Sequence, residues 1–176
     1  MTPLVDICPV SDLPPGASRV VEVEDVEIGV RTELGAYDFT SENIVAFARE
    51  FDPQPFHLSE EAARRSHFGA LCASGWHTGA AWMSCLVASR RRATEAAEAA
   101  NLPAPRLGPS PGFKDLRWSR PVYAGDRIAF SSTVEDTRAS ASRPGWGLVF
   151  HRNAGVNQHG DEVFSFQGCV FLERRG

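Results

Sequence analysis

Hydrophobic and polar positions follow a helical period in the first half of the chain. Apolar residues recur every three or four positions between 44 and 51, which predicts a helix that begins at Thr40 or Ser41 and ends before Pro53. A short helix is predicted from Ser59. Residues 75–100 form the longest predicted helix. Its first half is almost continuously apolar, which predicts burial on all sides, whereas its second half is charged and is expected to face solvent.

The remaining predicted elements are extended. Residues 20–30 alternate apolar and acidic positions, and 31–39 follow as a strand, after an irregular arm over residues 1–19. Four more strands are predicted over 113–119, 126–137, 146–156 and 162–173, with glycine- and aspartate-containing turns between them. This order predicts an α+β fold in which one antiparallel sheet wraps on one long central helix. The apolar strand faces are predicted to be Ile128, Phe130 and Val134, then Trp146, Leu148, Phe150, Ala154 and Val156.

Composition narrows the classes of function. The 176 residues favour one domain, and the net charge of −4 disfavours a general nucleic-acid binder, although a local basic patch can still bind an anionic ligand. The four cysteines form no CxxC pair or zinc-binding pattern. We find neither a signal peptide nor a membrane-spanning run, so we expect no membrane partner and a cytoplasmic location.

Three motifs are weak indicators of function. Residues 108–112 match the G-x-S-x-G nucleophile elbow, but Ser110 precedes a strand, and Pro111 lacks the N–H that an oxyanion hole needs. The histidines show no metal-binding spacing, so we expect no metal. Residues 90–92 are three arginines, for which a solvated face is favoured over contact with the phosphates of a ligand.

Two segments carry stronger candidate chemistry. Asp52 and His57 flank a segment stiffened by two prolines, and a carboxylate with an imidazole can hold a water and move its protons. The alternative is that Asp52 only caps a turn and His57 only fills the core. Gly75 begins the long helix, where free backbone N–H groups attract negative charge and could bind a polarised carbonyl. The alternative there is a simple N-cap or packing position.

Taken in order, these residues resemble the MaoC-like hydratase family, the hot-dog (R)-specific enoyl-CoA hydratases. The resemblance spans roughly residues 37–172. The family signature D-x-N-P-x-H is matched at its Asp, its Pro and its His between Asp52 and His57. Its other parts are residues 37–51, 61–63, 67–69, 73–75, 116–122 and 124–126.

The resemblance implies a site and a reaction. Asp52 and His57 would be the catalytic pair that adds water to a trans-2-enoyl thioester, and the N–H of Gly75 would bind the thioester oxygen. Gln54 replaces the usual Asn, and Ser74 replaces the His that often precedes the glycine. Both are expected in the substrate site, and Trp76, with Trp82, Met83 and Phe113, is expected to affect the depth of the pocket.

The resemblance also implies partners. The substrate would be an acyl-CoA or acyl-carrier thioester, with coenzyme A as part of the substrate and no separate cofactor. At least a homodimer is expected, with residues 1–30 as an N-terminal arm and lead and 31–176 as one hot-dog domain. Arginines at 90–92, 117 and 120 are candidate contacts for coenzyme A phosphates. The alternatives are a hot-dog thioesterase, disfavoured because no Asp or Glu lies between Gly75 and Arg92, and a catalytically silent binding subunit.

Overall fold

The computed structural model describes residues 26–102 and 106–174. Nine helices and strands lie within these ranges. They are β1 (Arg31–Asp38), α1 (Ser41–Phe51), α2 (Pro55–Leu58), α3 (Glu60–Arg64), α4 (Gly75–Ala99), β2 (Gly112–Trp118), β3 (Arg127–Ala139), β4 (Trp146–Val156) and β5 (Glu162–Glu173).

The predicted N-terminal arm, residues 1–19, lies outside the described residues. The extended segment predicted over 20–30 is described only from Val26, and there Ile28 and Gly29 form a turn. Glycine has φ +89° at this turn, so the prediction of an unbroken extended segment to Val30 was wrong at its end.

The five strands form one antiparallel sheet in the order β1-β3-β4-β5-β2. The sheet packs on α4, where Trp82 and Leu86 are buried against the sheet-derived core of Ile128, Phe130 and Phe164. All five predicted strands and the long helix are therefore confirmed, as is the α+β class. No helix among the described residues is long and apolar enough to cross a membrane.

The surroundings of α4 differ from the prediction. Its first half is not buried on all sides, because Trp76, Met83 and Val87 are 58%, 48% and 57% exposed. The three residues are spaced by seven and four positions, so they lie on one side of the helix. A continuous apolar run therefore marks two different surfaces here, one in the core and one open.

The buried face of β4 is also the opposite of the predicted one. His151 and Asn153 point to the core side with Val149, while Trp146 and Phe150 are only half-buried on the other side. One hydrogen bond offsets part of the cost of this burial, because the Asn153 amide Nδ2 lies 2.9 Å from Nδ1 of His151, while Oδ1 of Asn153 has no partner among the described residues. Alternation alone could not reveal a core-facing side that is polar.

Local capping positions the segment that leads to α4. Thr40 and Asn43 form a reciprocal capping box at the start of α1, as predicted for that helix start. The chain before α4 is tied to the loop between β2 and β3, because the N–H of Ala73 donates to Val122 O at 2.8 Å and the N–H of Ala124 donates to Leu71 O at 3.1 Å. These bonds hold the segment that leads into α4 against that loop.

Candidate active site

The predicted pair of Asp52 and His57 is brought together by the helix break between α1 and α2. Asp52 is the C-cap of α1, its N–H donates to Ala48 O, and Pro53 prevents the helix from continuing. His57 lies in the four-residue helix α2 that begins with Pro55. Its Nε2 atom is 3.7 Å from Oδ2 of Asp52. The two side chains thus face each other without a direct hydrogen bond.

The orientation of the His57 ring is fixed by the backbone. Its Nδ1 lies 2.7 Å from the carbonyl oxygen of Cys72. Because a carbonyl can only accept, Nδ1 carries the hydrogen, and the neutral ring presents an unprotonated Nε2 toward Asp52. Burial raises the pKa of the nearby Cys72 thiol to about 11, so this cysteine is a neutral neighbour at physiological pH.

Asp52 is held in its ionised form. Burial alone would raise the pKa of this carboxyl, but hydrogen bonds from the Ser74 and Gln54 side chains and the nearby His57 outweigh that effect, and its pKa lies below the ordinary value. The Gln54 amide donates to Oδ1 at 2.9 Å. Gln54 and Ser74 therefore both contact the predicted carboxylate directly.

The N-terminus of α4 leaves one donor free. Ser74 is the N-cap, and its Oγ accepts from the N–H of Trp76 at 3.2 Å. The N–H of His77 donates to Ser74 O. Among the described residues the N–H of Gly75 has no acceptor, as expected at the first turn of a helix. This is the position from which a backbone donor can bind a carbonyl oxygen, and it is adjacent to the residue that bonds Asp52.

A cavity of about 460 Å³ lies between α4 and the strands β2 and β5, within the usual size range of a small-molecule site. Trp76 and Trp118 line its end near Gly75. Asp52 and His57 do not line it. Its wall is mostly apolar and includes the predicted pocket residues Trp82, Met83 and Phe113, together with Leu86, Leu116 and Phe166.

With this geometry in place, comparison with known proteins identifies the family. Residues 24–145 match the family described as MaoC like domain, which is more than half of the chain. The chain belongs to this family. The hot-dog fold expected from the sequence resemblance is thereby confirmed for the MaoC-like domain.

A solved structure and two curated proteins are similar to this MaoC-like domain. The MaoC-like dehydratase from Rhodospirillum rubrum is 36% identical, with a TM-score of 0.71, covering 86% of this chain and 96% of that one. Mesaconyl-CoA hydratase from Cereibacter sphaeroides is 33% identical over 64 residues, 36% of this chain and 18% of the relative. 3-Hydroxybutyryl-CoA dehydratase from Methylorubrum extorquens is 41% identical over 61 residues, 34% of this chain and 38% of the relative. The chain thus spans less than two fifths of either curated relative.

Trp118 contacts Gly75, and the sequence did not reveal this contact. Its indole Nε1 donates to Gly75 O at 2.8 Å. A Cβ at Gly75 would lie only 2.6 Å from the indole ring, so glycine is required for this contact. The sequence showed only that an aromatic residue stands in the segment 116–122, which resembles the family. The spacing of residues gave no indication that this aromatic residue contacts Gly75.

Other sequence candidates lie elsewhere in the MaoC-like domain. Ser110 donates to the carbonyl of Cys169 and belongs to no nucleophile elbow. Arg91 pairs with Glu95 on the exposed side of α4, Arg92 donates to Leu34 O, and Arg120 pairs with Asp161. His77 is buried in an aromatic cluster. Within the described residues, no three metal-ligating side chains are grouped as a metal site would require.

Proposed function

We propose that this MaoC-like domain adds water reversibly across the trans-2 double bond of an enoyl thioester, which gives a 3-hydroxyacyl thioester. The observation that carries the proposal is the facing pair of His57 Nε2 and Asp52 Oδ2, 3.7 Å apart, beside the free N–H of Gly75. The names of the relatives support the same reaction class, since both curated proteins are called a hydratase or a dehydratase of a CoA thioester.

The chemistry of the pair follows from its hydrogen bonds. An ionised Asp52 and a His57 ring with unprotonated Nε2 can each accept one hydrogen of the same water. The oxygen of that water is then directed at C3 of the enoyl group. Nε2 takes the proton as the C–O bond forms, and the resulting imidazolium returns it to C2. The net change is addition of one water, and the reverse sequence removes it.

Gly75 supplies the electrostatic part of the mechanism. Attack at C3 moves negative charge onto the thioester oxygen, and a backbone N–H at the start of α4 stabilises that charge with the aid of the helix dipole. Ser74 connects both parts, because it caps α4 and also bonds Asp52. The oxyanion donor and the acid–base pair are therefore held at a fixed separation.

The reaction class is tested by mixing the purified protein with crotonyl-CoA. We expect the absorbance of the enone to fall without release of free thiol. Thiol release would identify the alternative of a hot-dog thioesterase. Unchanged absorbance across a series of enoyl-CoAs would favour the other alternative, a catalytically silent binding subunit. The thioesterase is disfavoured because α4 offers no Asp or Glu between Gly75 and Arg92 that could attack or activate water.

We further propose that the functional unit is at least a homodimer. Strand β2 is an edge of the sheet, and Phe113 and Trp118 on it are 60% and 42% exposed, next to the open Trp76 and Met83 of α4. A contiguous exposed apolar patch of this kind is typical of an interface. Light scattering coupled to gel filtration is expected to give twice the mass of 19.2 kDa. A monomer mass would contradict this.

A further inference from the structure

The cavity of the MaoC-like domain follows α4 for several turns. The lining residues of α4 run from Trp76 to Arg90, which corresponds to about 21 Å along the helix axis. The first of them lies next to Gly75, and the last lies far from the proposed reacting atoms. A chain that begins at Gly75 and occupies the cavity would therefore end near Arg90.

The far part of the cavity is polar, in contrast to its apolar walls. His151 lines it and is 91% buried, since 9% of its surface is exposed. The Asn153 amide donates to Nδ1 of His151 at 2.9 Å, so the neutral ring carries its hydrogen on Nε2 as a donor. Gly168 makes room for this ring, because a Cβ at that position would lie 2.7 Å from its Cε1 atom.

Arg90 lines the same cavity as a half-buried guanidinium. Side chains on a helix lean toward its N-terminus, which carries this group back over the cavity. Among the described residues Arg90 forms no ion pair, whereas its neighbour Arg91 pairs with Glu95. Glu135 affects His151 electrostatically, but its carboxylate accepts from the Gln167 amide and is exposed. A partly desolvated cation without a counter-ion favours binding of an anion.

We propose that the cavity binds an acyl chain whose far end carries a carboxylate, held by Arg90 and the Nε2 hydrogen of His151. The preferred substrates would then be monothioesters of unsaturated dicarboxylic acids. The proposal deepens, and rests on, the proposed hydration of enoyl thioesters. It differs from a general acyl pocket, because an apolar chain end would displace water from both polar groups without offering them a hydrogen-bond partner.

The test compares matched pairs of substrates, such as trans-2-decenoyl-CoA and the monothioester of trans-2-decenedioic acid, with shorter and longer pairs. The readout is the ratio of the two kcat/KM values at each length. We expect the carboxylated member of one pair to be favoured by about tenfold or more, as for a hydrogen bond to a charged group. A ratio near one at every length would overturn the proposal.

Two variants assign the effect to Arg90. Arg90→Met is expected to bring the ratio close to one, and Arg90→Gln is the second choice if the first variant does not fold. Arg91→Met is the matched control, since Arg91 is the adjacent, exposed arginine, and it should keep the wild-type ratio. If Arg90→Met weakens both substrates and free coenzyme A equally, Arg90 binds the carrier and the proposal is wrong.

A binding measurement separates this proposal from the hydration itself. Saturated decanoyl-CoA and the monothioester of decanedioic acid are titrated while tryptophan fluorescence is recorded, because Trp76, Trp82 and Trp118 line the cavity. Tighter binding of the carboxylated thioester that is lost in Arg90→Met supports the carboxylate site even if no enoyl-CoA is hydrated. The same comparison is made at shorter and longer chain lengths, and equal affinities at every length would overturn the proposal even if hydration is observed.

Discussion

The Nε2 atom of His57 lies 3.7 Å from Oδ2 of Asp52, and each side chain is fixed by a different part of the fold. The backbone carbonyl of Cys72 holds His57 through Nδ1, while Gln54 holds Asp52 through Oδ1. The facing atoms, Oδ2 of Asp52 and Nε2 of His57, can both accept a hydrogen bond from a water. A pair held in this way needs little rearrangement to act, which is the usual requirement of an acid–base site.

Replacing Asp52 by Asn removes the carboxylate with almost no change of shape. We expect turnover of enoyl-CoA to fall by about 10²–10⁴-fold, the typical contribution of a positioned acid–base group. Steady-state kinetics and a circular dichroism spectrum together check activity and folding. Glu50→Gln is the matched control, since Glu50 is an exposed carboxylate two residues earlier in the chain. Near-normal turnover of Asp52→Asn would disprove the mechanism.

Gln54 stabilises the ionised form of Asp52 through its amide hydrogen bond. Gln54→Ala should therefore raise the pKa of Asp52. Because ionised Asp52 is the proposed active form, the variant should lose activity on acidification at a higher pH than the wild type does. The measurement is the acid limb of kcat/KM against pH. Gln158→Ala removes an equivalent amide–carboxylate bond at Asp126 and should leave this limb in place. An unmoved limb in Gln54→Ala would show that another group controls it.

Much of the architecture could be predicted from the chain, because its signals are local. Thr40 and Pro53 bound α1 through capping and proline geometry, and the strands alternate over several residues. The pairing of Asp52 with His57 was likewise accessible, since only five positions and one helix break separate them. Their roles came from the family resemblance rather than from the spacing.

Contacts between segments that are distant in the chain could not be predicted from the sequence. Trp118 contacts Gly75 across 43 positions in the chain, and His151 lines the same cavity as Arg90 only because its side of β4 faces α4. The wrong face predicted for β4 has the same origin. Its buried side contains His151 and Asn153, whose mutual hydrogen bond offsets part of the cost of burial, and alternation of hydrophobicity carries no information about such a bond.

The contact of Gly75 with Trp118 leads to a prediction about stability. Gly75→Ala would place a Cβ 2.6 Å from the indole, so the ring must move and lose its hydrogen bond to Gly75 O. We expect a cost of about 1–3 kcal/mol in the free energy of unfolding, measured by urea denaturation. Turnover should fall as well, because relief of the clash shifts the first turn of α4 and with it the backbone N–H at this position, which is the proposed oxyanion donor.

The control for this substitution lies four residues further along α4. A Cβ at Gly79 meets nothing within 4 Å, so Gly79→Ala should stabilise the helix by about 0.5–1 kcal/mol. Removing the indole should relieve the clash, and in a Trp118→Ala background Gly75→Ala should cost clearly less than in the wild type. Equal costs in the two backgrounds would show that the contact does not determine the effect.

His77 makes the stability of the fold depend on pH. Its ring stacks on Phe47 at 4.6 Å, and burial lowers its pKa to about 4, so the folded state holds it neutral. The unfolded chain binds a proton near its ordinary value of 6.5, and stability should therefore be complete above pH 6.5 and decrease as the pH falls toward 4. The free energy of unfolding, measured by urea denaturation, should be lower at pH 5 than at pH 7 by about 1–2 kcal/mol because of His77 alone. His151 adds to this difference, since burial lowers its pKa as well. His77→Phe should reduce this difference. The control is His159→Gln, which changes a histidine in an exposed turn and should leave the difference as it is. An undiminished difference in His77→Phe would assign the effect to other groups.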